Sequence, residues 1–152
     1  MRSLLTLLLF VPLISFSQYW QQQGQDIDGE AASDGSGTSL SINASGSLIA
    51  IGAPYNDGNG TDAGHVRIYE WNGSSWVQKG QDIDGEATDD ESGFSISMNS
   101  AGNKIAIGAP NNDGNGNNSG HVRVYEWNGS SWVQLGQDID GAFYTASGSS
   151  VA

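Results

Sequence analysis

GQDIDGEA runs from Gly24 to Ala31, returns unchanged at Gly80–Ala87, and comes back as GQDIDGA at Gly136–Ala142. Both steps are 56 residues, and 40 of the 56 aligned positions in 24–79 and 80–135 are identical. IAIGAP recurs at Ile49 and Ile105, GHVR at Gly64 and Gly120, and YEWNGSSWVQ at Tyr69 and Tyr125. A tandem period of about 50 residues points to a propeller-like or array architecture. The chain divides into repeat 1 (24–79), repeat 2 (80–135) and a third repeat cut short (136–152). Trp20 aligns with Trp76 and Trp132, so 18–23 is expected to be a strand completing a blade.

Each unit holds four strand candidates and no segment with the 3.6-residue period of a helix. In the first unit they are Thr38–Ile42, Leu48–Ala53, His65–Trp71, and a strand from Trp76 through Val77 toward Ile83. Val66 and Ile68 alternate with Arg67, Tyr69 and Trp71, which assigns them to opposite faces. Asn72-Gly73, between Trp71 and Trp76, is a strong hairpin signal that sets the two tryptophans across from each other. Ala50 and Gly52 are small, as suits an inner strand crowded by its neighbours. The expectation is an all-β fold of tandem four-stranded antiparallel β-propeller blades, incomplete at two full repeats plus partial ends. A β-solenoid is the alternative.

Gly93-Phe94-Ser95-Ile96-Ser97, Ile105-Ala106-Ile107-Gly108-Ala109-Pro110 and Gly120-His121-Val122-Arg123-Val124-Tyr125 resemble the FG-GAP repeat across nearly all of 20–152. The resemblance implies the integrin-α-like propeller of many secreted bacterial proteins, and by analogy a role in cell adhesion. In the first copy Gly37-Thr38 replaces the Phe-containing start. Many FG-GAP repeats carry an aspartate-rich calcium loop between the first two strands. Only Asn43–Ser47 and Asn99–Asn103 stand there, so that site does not transfer. Propellers have about 4 to 8 blades. The chain is therefore expected to be a fragment of a larger protein, or to close a ring with further blades or by self-association.

Met1-Arg2 and the apolar run from Leu4 to Phe16 read as a signal peptide over 1–17. The protein is expected to be secreted or displayed at the cell surface, with no membrane span after signal removal. It has no cysteine, so packing or bound ions must stabilise it rather than disulfides. Aspartate and glutamate number 17 against 5 lysines and arginines. This balance argues against nucleic acid and favours cations or cationic partners.

Strand parity sends nearly every carboxylate to one end of a blade and predicts an electronegative face. Asp57, Asn59 and Asp62 in one loop, and Asp113, Asn115 and Asn117 in its counterpart, place oxygen ligands among glycines, a pattern compatible with calcium. The alternative is a solvated Asx/Gly turn. Apart from possible calcium, no cofactor is expected. No catalytic residue is assigned: His65 and His121 share one repeat position, and no serine sits in a nucleophile elbow. The sequons at Asn43, Asn59, Asn72, Asn117 and Asn128 read as turn chemistry. Trp71/Trp76 and Trp127/Trp132 are either cross-strand packing or sugar-stacking platforms. The expected function is a non-enzymatic extracellular scaffold that binds protein or glycan. The rivals are an accessory propeller of a secreted hydrolase and a filler array in a large adhesin.

Overall fold

The computed structural model describes residues 19–152; the signal peptide expected over 1–17 lies outside them. The chain is all-β, with two antiparallel sheets and no helix among the described residues. In the first repeat the strands are β1 (Ser39–Ile42), β2 (Leu48–Ala53), β3 (His65–Trp71), β4 (Trp76–Gln78) and β5 (Ile83–Asp84). In the second they are β6 (Ser95–Met98), β7 (Lys104–Ala109), β8 (His121–Trp127), β9 (Trp132–Gln134) and β10 (Ile139–Asp140). Each sheet is a meander in which the third strand pairs with two short strands, β3 with β4 and β5, and β8 with β9 and β10.

The fourth strand differs from expectation. It is split, with Trp76 opposite Trp71 at one end of β3 and Ile83 opposite Val66 at the other. Between them Lys79 N–H still donates to Ile68 O, and the Asp82 carboxylate turns to meet Arg67. Residues 19–23, in the segment expected to complete a blade, form no strand. Their counterpart 76–78 pairs with β3, and no described strand stands in that relation to 19–23.

The turns explain several repeated residues. Asn43 Oδ1 accepts from Ser47 and Leu48 N–H, and Asn99 Oδ1 does the same for Asn103 and Lys104. Asn72 Oδ1 accepts from the N–H groups of Ser74 and Ser75. These side chains stand in for a backbone acceptor and pin the hairpins. Across the Asn-Gly turns, Trp71 meets Trp76 at 5.4 Å between ring centroids and Trp127 meets Trp132 at 5.5 Å.

The sheets stack face on face. Leu48, Ala50, Val66 and Ile68 of the first sheet bury against Ile96, Met98, Ile105, Ile107 and Tyr125 of the second. β1 and β2 are the strands that approach β6. One face of each sheet is therefore buried, and which face it is alternates. In the first sheet it is the Val66/Ile68 face; in the second it is the Arg123/Tyr125 face. Backbone polar groups cross the joint: Ser39 Oγ donates to Gly93 O at 2.7 Å, and Met98 N–H donates to Ser41 Oγ at 2.9 Å.

Gly52 lies where β2 meets the start of the second unit, and a Cβ there would overlap the Gly93 carbonyl and Ser39 Oγ. Gly52→Ala is expected to lower the urea-unfolding free energy by about 1–3 kcal/mol, the usual cost of overpacking. Gly108 meets Gly148 in the same way, but no strand follows β10 among the described residues to brace Gly148. Gly108→Ala should therefore cost less in the same titration.

Candidate functional site

The antiparallel register sends the connections after β2 and β5 to one end of the sheets, and the hairpins after β1 and β3 to the other. Asp57, Asp62, Asp84, Glu86, Asp89, Glu91 and Asp113 lie at the first end. At the opposite end Lys79 pairs with Glu70 and Lys104 with Glu126. The predicted electronegative end is thus present in the described residues.

Its most organised feature is a polar cluster that occurs twice. His65 and Arg67 stand two apart on β3. Arg67 grips Asp82 through Nε and Nη2 at 3.1 and 2.9 Å and also contacts Glu30. His65 Nδ1 lies 4.0 Å from both Glu30 Oε2 and Asp82 Oδ2. In the second unit His121 Nδ1 lies 3.7 Å from Asp138 Oδ2. Arg123 Nη1 reaches Glu86 Oε1 at 3.3 Å, and its Nη2 donates to Asp84 O at 2.8 Å. The glutamate comes from one copy of GQDIDG and the aspartate from the next. Each cluster therefore ties two successive repeats to the strand between them.

Burial and charge together set the protonation of these groups. The Arg67 guanidinium, hydrogen-bonded to Asp82, holds that carboxyl below its usual range, and the same bond raises Arg67 itself. Burial, then the neighbouring Arg67, lowers His65; burial, then Arg123, lowers His121. Both imidazoles are held toward the neutral form. His121 is 1 % exposed, and neither of its ring nitrogens has a hydrogen-bond partner; Arg123 Nε is also unpartnered.

The ligand atoms of Glu30–His65–Asp82 and of Glu86–His121–Asp138 lie within 4.8 Å of one another, and these donor types suit a transition metal. In the first triad, however, Arg67 bonds both carboxylates and already supplies a positive charge among them.

The residues singled out for calcium also hold their loops together. Asp57 Oδ1 accepts from Asp62 N–H at 2.9 Å, and Asp113 Oδ1 from Asn118 N–H at 2.7 Å. Asn59 Nδ2 donates to Gly85 O and Asn115 Nδ2 to Gly141 O, binding each loop to the following GQDIDG. Asn117 O accepts from Tyr144 N–H. Backbone hydrogen bonds bring the Asp62 loop against two acidic residues of the next unit: Asp89 N–H donates to Thr61 O and Glu91 N–H to Asp62 O. Burial, then Asp62 and Asp89, raises Glu91 above the usual carboxylate range. Asp62, Asp89 and Glu91 all adopt left-handed backbone, at φ 49°, 65° and 54°.

The tryptophan pairs hold the chain between units. Trp76 Nε1 donates to Gln23 O and Trp132 Nε1 to Lys79 O, both at 2.9 Å, and Lys79 Nζ lies 5.1 Å above the Trp127 ring. The clusters themselves were missed in the sequence. Their signal was the joint recurrence of H-x-R and D-x-D-G-E, which has meaning only once two copies of GQDIDG meet one strand. No family model matches the chain, and no curated protein matches it.

The lowered histidines make a signed prediction. A group whose folded pKa is depressed contributes stability above its unfolded value, about 6.5 for histidine, and loses it as pH falls. The melting temperature should therefore drop between pH 7 and 5. His65→Gln/His121→Gln should flatten that slope, and an unchanged slope would show that the imidazoles do not titrate with folding. Asp82, also depressed, adds a loss only below about pH 4.

Proposed function

We propose that this chain is a non-catalytic extracellular scaffold built of FG-GAP-like β-propeller blades, which binds protein or glycan partners at its acidic end. The observation that carries this reading is the stacking of two near-identical meander sheets through opposite faces, with inner strands β1 and β6 adjacent. Antiparallel meanders of this size, repeated and stacked face to face, suit blades around an axis. Duplication of the His–Arg–carboxylate cluster suits a scaffold better than an enzyme, which needs a catalytic group once per site.

The test is to present the full chain to arrays of glycans and purified extracellular proteins, and to assay glycoside, ester and peptide reporters in parallel. Saturable binding without turnover is expected. Turnover abolished by His65→Gln/His121→Gln would replace the scaffold with a hydrolase.

Calcium is part of this proposal, and the crowded carboxylates around Asp62 are where a cation would relieve repulsion. Millimolar calcium should raise the melting temperature relative to chelator, and Asp62→Asn, the residue type found at Asn118, should remove most of that rise. Identical melting with calcium and with chelator would dispose of the ion.

A further inference from the structure

The two polar clusters share their residue types but leave different atoms engaged. In the first, Arg67 holds Asp82 through two hydrogen bonds and also contacts Glu30, so both carboxylates already face a cation. In the second, Arg123 reaches Glu86 Oε1 at 3.3 Å and turns Nη2 to the Asp84 carbonyl. Asp138 is held instead by Gln134, whose Nε2 donates to Oδ1, while Oδ2 lies 3.7 Å from His121 Nδ1. His121 supplies an independent observation. Its side chain is 1 % exposed, and neither Nδ1 nor Nε2 has a hydrogen-bond partner among the described residues. Buried polar atoms are nearly always engaged. Here the unengaged Nδ1 faces two carboxylates, and one donor atom from each of the three side chains lies within 4.8 Å of the other two.

We propose that Glu86, His121 and Asp138 bind a divalent transition ion of the zinc type, through His121 Nδ1 and one oxygen of each carboxylate. Tetrahedral zinc holds such donors at about 2.0–2.2 Å, which sets them about 3.4 Å apart. The 3.7 Å between His121 Nδ1 and Asp138 Oδ2 is already close to that spacing. Glu86 takes up the remaining adjustment, because its side chain is 46 % exposed at the rim while His121 is fixed in the interior. A carboxylate accepts at both oxygens, so Glu86 can serve Arg123 and the ion together.

Donor type and charge agree with this assignment. Imidazole suits zinc and its neighbours, whereas calcium takes six or more oxygens. Glu86, Asp138 and Asp90 all act on His121, against the one positive charge of Arg123. A dication relieves that excess of negative charge. Burial, then Arg123, keeps the imidazole toward the neutral form that a metal requires. Three protein ligands leave the fourth position of a tetrahedral ion open. Glu86 belongs to the second GQDIDG and Asp138 to the third, so the ion ties two repeats to β8. This inference goes beyond the scaffold proposal and is separate from calcium at the Asp62 loop.

The test is calorimetric titration of the full chain, prepared without a histidine tag, with zinc chloride. One zinc ion per chain is expected, with a raised melting temperature, and millimolar calcium should not displace it. His121→Gln should abolish the binding. Gln134→Ala, which removes the bond that orients Asp138, should weaken it about 10- to 100-fold, and Asp138→Asn should weaken it further. His65→Gln should leave stoichiometry and affinity unchanged. Cobalt(II) in place of zinc should give the visible absorption of a tetrahedral site, lost in His121→Gln. Unchanged near-ultraviolet tryptophan dichroism identifies variants that have kept the fold, and Asp138→Asn, at a partly exposed position, serves if His121→Gln does not fold. A wild-type chain that binds no zinc, undiminished binding in folded His121→Gln or Asp138→Asn, or binding lost in folded His65→Gln would each overturn the proposal.

Discussion

The close approach of two backbones, Gly52 of one repeat and Gly93 of the next, is the constraint on which the architecture depends. With no side chain at Gly52, the carbonyl of Gly93 can sit against β2 and accept the hydroxyl of Ser39. This brings β6 beside β1 and lays Ile96 and Met98 over Ala50 and Val66. Small residues at the crossing and larger apolar residues around it let the two sheets pack closely. Gly108 and Gly148 repeat the contact, so the rule that places the second unit on the first also places the beginning of a third.

The polar clusters work with this joint rather than beside it. A buried arginine between two carboxylates is favourable only where its donors are met. Arg67 meets that condition through Asp82 and Glu30. Arg123 meets it less completely: Nη1 reaches Glu86 and Nη2 donates to Asp84 O, while Nε is unpartnered. The two clusters use the same residue types at the same repeat positions and differ in what the guanidinium holds: Arg67 takes Asp82 and Glu30, Arg123 takes Glu86 and the Asp84 carbonyl.

Strand positions and turns were legible because their signals are local. The alternation of Val66 and Ile68 with Arg67 and Tyr69, the Asn-Gly hairpins and the IAIGAP run each fix a few adjacent dihedrals or one face. The break in the fourth strand was not legible. Lys79 to Asp82 reads as a continuation of Trp76–Gln78 until Arg67 pulls the Asp82 carboxylate inward. Nor could sequence show that the first sheet buries its Val66/Ile68 face while the second buries the opposite one. That depends on which neighbour lies on which side, a property of the stack rather than of any repeat. The acidic loops were placed correctly at one end by parity alone, yet the partners of Asn59 and Asn115, carbonyls 26 residues onward, depend on the same stacking.

Near-identity between repeats has a further physical consequence. Any side chain that touches both its own unit and the next must satisfy two environments with one residue type. Positions facing only the neighbour are free to vary in shape while staying apolar, as Leu40 and Ile42 do against Ile96 and Met98. Positions in the shared GQDIDG have no such freedom. Gly80 must clear Trp127 and Trp132, Asp82 must reach Arg67, Ile83 must pair with Val66, and Gly85 must accept Asn59. Four obligations within six residues explain why this stretch returns almost unchanged, while Ala32 and Thr88, in the exposed loop that follows, need not agree. The motif is kept constant by packing between units, and ligand chemistry is free to sit in the acidic loops that flank it.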